Sequence, residues 1–152
     1  MKHTFNCLPS QNGKQQARKA RDLEFIETYK AALEQLISAK VKNPKMEAVR
    51  WTIFNGAPHY HVSYERAYRV VCKILHEKSS PIKPSLQACM WNEIAQRVSS
   101  LTQYGRVSVA KALELVLLHC RASRFFISEH YAYANLLPRA RHERLARRSM
   151  SA

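Results

Sequence analysis

Apolar residues recur at three- and four-residue steps along most of the chain, interrupted by short polar breaks. That period is helical. From about Arg18 to Lys42 the apolar stripe is Leu23, Ile26, Tyr29, Leu33, Leu36, Ile37 and Val41. Asn43-Pro44 stops this helix and starts another, because asparagine caps a helix well and proline fits the first helical position. Met46, Val49 and Ile53 line one face of the second helix. Asn55-Gly56 ends it, with Gly56 free to take the left-handed C-terminal conformation. Pro58 biases Ala57 away from helix, so His59 to Val62 reads as extended. Ser63 caps a third helix whose stripe is Ala67, Val70, Val71, Ile74 and Leu75, with Glu65 complementing the dipole in its first turn. Residues 78–84 carry two serines and two prolines and form a linker.

Beyond the linker the same order of elements returns. Ser85 caps a helix with Leu86, Met90, Ile94, Val98 and Leu101 on one face. Ser108 caps the next, which presents Val109, Ala112, Leu113, Val116 and Leu117. Arg124 to Ile127 is extended, and Ser128 caps a last helix that Pro138 interrupts. The halves correspond at a constant offset of 65 residues: Ala57 with Ala122, Tyr60 with Phe125, Val62 with Ile127, Ser63 with Ser128, Ala67 with Ala132 and Tyr68 with Tyr133. A fixed offset of this kind marks a tandem duplication.

The predicted fold is therefore all-α. Two tandem three-helix repeats, about 18–80 and 85–137, form one duplicated domain over 18–137 with pseudo-two-fold symmetry. Tyr60–Val62 and Phe125–Ile127 are each too short to stand alone as a sheet. They are expected to pair antiparallel across the pseudo-two-fold axis as a short two-stranded ribbon. Residues 1–17 lack an apolar period and read as a disordered N-terminal tail, and 138–152 as a basic C-terminal tail.

Charge changes this picture from architecture to partner. Lys and Arg number 25 against 11 acids, a net charge of +14, which points to a polyanion. Residues 1–21 carry five cations and no acid. Residues 138–152 carry Arg139, Arg141, Arg144, Arg147 and Arg148 against Glu143 alone. Basic ends suit sequence-independent phosphate contacts; the competing reading is a solvated tail. No run is apolar and long enough to span a membrane, and the N-terminus lacks the apolar core of a signal peptide. Four cysteines without close pairing fit reduced thiols and a cytoplasmic setting.

On the third helix, Arg66, Arg69, Lys73 and His76 share a face roughly opposite the apolar stripe. Arginine forks onto guanine and lysine meets phosphate, so this face is a candidate nucleic-acid reader, against the plainer reading of a solvated face. The matching positions of the second half are Tyr131, Ala134, Pro138 and Arg141, so only the first repeat offers it. Tyr60 and Phe125 match between repeats and read as core, whereas His61 and Phe126 alternate to the other side. His59 with His61, and Cys72 with His76, have metal-ligand chemistry but match no structural zinc spacing, so no metal is assigned. With three glycines, no phosphate loop, no nucleophile elbow and no paired-carboxylate motif, the chain offers no catalytic residue and calls for no cofactor.

Three segments carry a resemblance: Ala57-Pro-His-Tyr-His-Val-Ser-Tyr-Glu-Arg-Ala67, Met90-Trp-Asn-Glu-Ile-Ala-Gln-Arg-Val98 and Arg124-Phe-Phe-Ile-Ser128. Together they resemble a group of small basic proteins from bacterial conjugative elements and prophage-like DNA. That group carries two aromatic–apolar–Ser, then Ala segments separated by a helix of the Met-x-x-Glu-Ile-x-x-Arg-Val type. The resemblance spans roughly Asp22 to Arg139 and departs at Arg121 and Ser123, where the group carries prolines. It implies a role in DNA transactions through its setting and supplies no catalytic residue. The expected function is a non-enzymatic, nucleic-acid-binding accessory protein of a mobile element, with DNA the favoured ligand. Its phosphate contacts would come from Arg66, Arg69, Lys73 and the five C-terminal arginines. The alternative is a protein-interaction adaptor that uses helical grooves and docks an acidic partner on its basic tails. Oligomeric state does not follow from the sequence.

Overall fold

The computed structural model describes residues 10–77 and 85–137. Among them the fold is all-helical: α1 (Ser10–Ser38), α2 (Pro44–Phe54), α3 (Tyr64–Glu77), α4 (Leu86–Thr102), α5 (Val109–His119) and the short α6 (Glu129–Tyr131). A wide π-helical turn, Ala132–Leu136, continues α6.

The helix starts follow the serine signals. Ser85 Oγ accepts from the Ala88 amide at 3.1 Å, Ser108 Oγ from Lys111 at 3.2 Å and Ser128 Oγ from Tyr131 at 3.0 Å. Ser63 Oγ takes the Arg66 amide at 3.4 Å. Each bond satisfies an amide that the first turn would otherwise leave unpaired. Asn43 behaves differently. It precedes α2, but in the left-handed conformation (φ 52°), and its side chain makes no capping bond; Pro44 takes the first helical position as expected. Gly56 has φ 92°, the positive value its place after α2 required.

α1 departs from expectation at both ends. It begins at Ser10, within the stretch expected to be disordered, and stops at Ser38 instead of Lys42. The early start does not need an apolar period, since Lys14, Gln15, Gln16 and Ala17 are all good helix formers. At the other end, Lys40 turns left-handed (φ 56°). The Val41 amide then reaches Leu36 O at 3.1 Å and the Lys40 amide Ile37 O at 3.0 Å. These two bonds are the Schellman closure, made here without glycine. The buried face of α1 is Phe25, Tyr29 and Ala32, while Leu23 and Ile37, expected inward, are exposed, as is Met46 on α2.

The residues fall into two compact units that cut across the sequence halves. One holds the chain up to Arg21 together with Ala57–Ala122, and so contains α3, α4 and α5. The other holds Asp22–Gly56 and the chain from Ser123, and so contains most of α1 with α2 and α6. Each unit thus combines two successive helices of one half with the last helix of the other.

In the first unit α3 packs on both α4 and α5, and α4 on α5. Its core is Ala67 and Val71 of α3, Met90, Trp91, Ile94 and Val98 of α4, and Leu113 and Val116 of α5. In the second, Phe25 meets Phe125 edge-on at 5.4 Å and 84°, and Val49 and Ile53 are fully buried. Tyr60 (4% exposed) and Phe125 (1%) are both core, as their matched positions implied.

The expected ribbon does not form: no strand occurs among the described residues. In its place is a single antiparallel bridge, Ala57 to Ala122, with N···O distances of 3.0 and 2.9 Å. The bridged residues are the pair that the 65-residue offset equates. Three features stop the pairing from propagating to Tyr60–Val62 and Phe125–Ile127. Pro58 has no amide to donate. The Phe125 amide bonds to Ile53 O at 3.0 Å, and the Val62 amide turns back onto Tyr60 O at 3.1 Å.

Candidate nucleic-acid interface

α3 is an amphipathic helix whose buried side is Ala67 and Val71. At 100° per residue, Arg69 and Lys73 point away from that side, and both are exposed. Arg66 lies between the two sides. Its guanidinium stacks 5.7 Å from the ring of Trp91, which is only 2% exposed. A cation held over a buried indole is worth about 0.5–1 kcal/mol and fixes the direction of the side chain. Arg66, Arg69 and Lys73 are therefore brought together on one face of one helix. Arg139, Arg141, Arg144, Arg147 and Arg148 lie outside the described residues.

The neighbouring surface of α3 is aromatic. Tyr64 and Tyr68 stack with ring centroids 6.1 Å apart, and the Tyr64 hydroxyl donates to Ala110 O at 3.0 Å, tying α3 to the start of α5. Burial, with Tyr68, Glu114 and Cys72 nearby, raises the pKa of Tyr64.

The basic N-terminal end seen in the sequence supplies a second basic stretch of this unit. Lys14, Arg18 and Lys19 are exposed on the first turns of α1, and a Cβ at Gly13 would sit 3.6 Å from Cβ of Ser63, the residue that caps α3. The charges were visible, but the lack of an apolar period assigned Lys14 to a tail, while Arg18 and Lys19 opened the expected first helix. Between residues 13 and 122, the described part of this unit carries 11 Lys and Arg against four Glu, a net +7. The described part of the other unit carries six acids and six bases, a net charge of zero. The excess charge of the described chain thus lies wholly in the unit that contains α3.

Beneath α3, the Tyr60 hydroxyl donates to Glu93 Oε2 at 2.7 Å, and Arg97 stacks 6.0 Å from the Tyr60 ring. Burial and this bond to a carboxylate push the Tyr60 pKa well above that of a free phenol. Met90-Trp-Asn-Glu-Ile-Ala-Gln-Arg-Val98 therefore contributes Trp91, Glu93 and Arg97 to the support of α3 and of the segment before it. In the other unit Arg124 is likewise held: Nε donates to Phe125 O at 3.0 Å and an Nη to Ile127 O at 3.2 Å, with the guanidinium 4.7 Å from the Phe54 ring.

Set against known proteins, the chain matches no family model, no curated protein and no solved structure. No helix among the described residues is long and apolar enough to cross a membrane.

Proposed function

We propose that the protein is a non-enzymatic nucleic-acid-binding accessory protein, with DNA as the favoured ligand and a mobile element as its setting. The observation that carries this reading is the separation of charge. One unit holds the net +7 of the described residues and presents Arg69 and Lys73 on the outward side of α3, with Arg66 at its flank over Trp91. Phosphate neutralisation supplies most of the affinity in such an interface. Arg66 is the residue best fixed for a directed contact, because Trp91 holds its guanidinium. The C-terminal arginines 139, 141, 144, 147 and 148 add further phosphate contacts in this reading. A cytoplasmic location accords with it.

The duplication belongs to the same reading. The Ala57–Ala122 bridge between equated residues, and units that each borrow the other half's last helix, support two three-helix repeats with exchanged third helices around a pseudo-two-fold axis. The duplicates have diverged, since Arg66, Arg69 and Lys73 have no basic counterpart at Tyr131, Ala134 and Pro138. Anisotropy titrations with labelled single- and double-stranded oligonucleotides across salt test the function. Binding that falls steeply with salt supports it, and absent or salt-insensitive binding removes it.

A further inference from the structure

In the unit whose described residues sum to zero charge, α2 carries its largest side chains on the wrong side for a solvated helix. Ala48, Val49, Thr52 and Ile53 form its buried side. Trp51 (47% exposed) and Phe54 (59% exposed) project from the side away from them. Thr52 needs nothing from that side, because its hydroxyl donates to Ala48 O at 2.7 Å. Two large aromatics one turn apart on the outer face of a helix are an unusual exposure, and such patches mark interaction surfaces.

The surroundings of the patch select the occupant. Arg50 lies between the aromatics and Glu47, with Nη1 3.9 Å from Glu47 Oε1 and Nε 3.4 Å from Glu129 Oε1. Arg124 covers one face of the Phe54 ring. Carboxylates at the rim repel a phosphate backbone, and the balanced charges of the unit's described residues give an acidic protein no local field to follow. An aromatic centre with a rim of both charge signs is the composition of a protein–protein contact. Of the two sets of described residues, at net +7 and zero, this is also the one where a like molecule meets less repulsion.

We propose that the outer face of α2 is a self-association surface, and that its partner is a second copy of this chain. The arrangement is self-complementary. A two-fold axis crossing α2 between Arg50 and Trp51, with the helices antiparallel, sets each Trp51 over the partner's Arg50 and each Phe54 beside the partner's Glu47. One 11-residue helix spans only about 16 Å, so the contact is smaller than a standard stable interface and the dimer dissociates readily. The inference uses no residue of α3, so it stands without the nucleic-acid reading.

The test is sedimentation equilibrium of the full chain up to ~100 µM, at low salt and at about 0.5 M salt. The wild-type chain forms dimers that persist or strengthen as salt screens the like charges. The double variant Trp51→Ser/Phe54→Ser, with an unchanged far-ultraviolet circular dichroism spectrum, weakens the dimer at least about tenfold. The single variant Phe54→Ser, a smaller change to the fold, weakens it in the same direction. A wild-type chain that stays monomeric throughout overturns the proposal. Variants that associate as tightly as wild type, or association that vanishes as salt rises, do the same. Quenching of tryptophan fluorescence by an oligonucleotide that the variant Trp51→Phe abolishes, without any dimer, assigns the face to nucleobases and likewise overturns it.

Discussion

Replacing Phe125 by alanine probes how the units are built. Phe125 comes from the second half of the sequence, yet its ring is 1% exposed against Phe25, and its amide bonds to Ile53 O at 3.0 Å. The variant keeps that backbone bond and loses the ring. Truncating a fully buried phenylalanine costs about 3–5 kcal/mol, within which the edge-to-face contact accounts for ~0.5–1.5 kcal/mol. At 1.36 kcal/mol per tenfold, protection against amide exchange falls by roughly two to nearly four orders of magnitude wherever Phe125 is needed. Native-state hydrogen exchange read by mass spectrometry assigns the loss to segments. α2 and the Asp22–Ser38 part of α1 exchange faster, although both lie in the other half of the sequence, while α4 and α5 change far less. Acceleration confined to α4 and α5, the helices of the same half as Phe125, refutes the exchanged arrangement.

Two further substitutions test local features. Ser108→Ala removes the hydroxyl that takes the Lys111 amide at the start of α5, and lowers stability by about 1 kcal/mol in thermal or urea unfolding. Tyr60→Phe removes the 2.7 Å bond to Glu93 and costs ~1.5–3 kcal/mol at pH 7. Its pH dependence is specific. The folded state raises the Tyr60 pKa above the free value near 10, so this stabilisation is complete below about pH 10 and is lost as pH rises through the folded value. The stability gap between wild type and Tyr60→Phe therefore narrows in urea titrations above about pH 10, where a constant gap would contradict the assignment. Tyr29, Tyr64 and Tyr133, whose pKa values burial also raises, are present in both proteins and cancel.

What the sequence disclosed follows the range of the interactions involved. Ser63, Ser85, Ser108 and Ser128 act on amides within one turn, so four helix starts were readable from spacing alone. Lys40 defeats the same logic at the end of α1. Any L-residue costs something in a left-handed turn, and a lysine there gives no sign that a Schellman closure follows. The stripe Ala67–Val71 said that α3 buries that face but not against what. Packing on α4 and α5 is a long-range choice, and periodicity carries no information about partners. For the ribbon, two non-helical segments were recognised, but the turn of the Val62 amide onto Tyr60 O and the hydrogen bond from Phe125 to Ile53 that compete with pairing were invisible. The basic face of α3 was legible because it needs only helical spacing. Its support by Trp91, the basic turns of α1 near Ser63, and the outward Trp51 and Phe54 needed the structure. A helical wheel of α2 would have exposed the last, since both fall away from Val49 and Ile53.

The most direct test of the central claim compares wild type with Arg69→Ala/Lys73→Ala on one duplex oligonucleotide, by anisotropy, from ~50 to ~300 mM salt. Both side chains are exposed and leave the buried side of α3 untouched, so the fold persists. Each lost phosphate contact removes about 0.9 from the slope of log affinity against log salt. The variant binds more weakly at low salt, with a slope shallower by roughly 1.8. Identical slopes and affinities for the two proteins would contradict it.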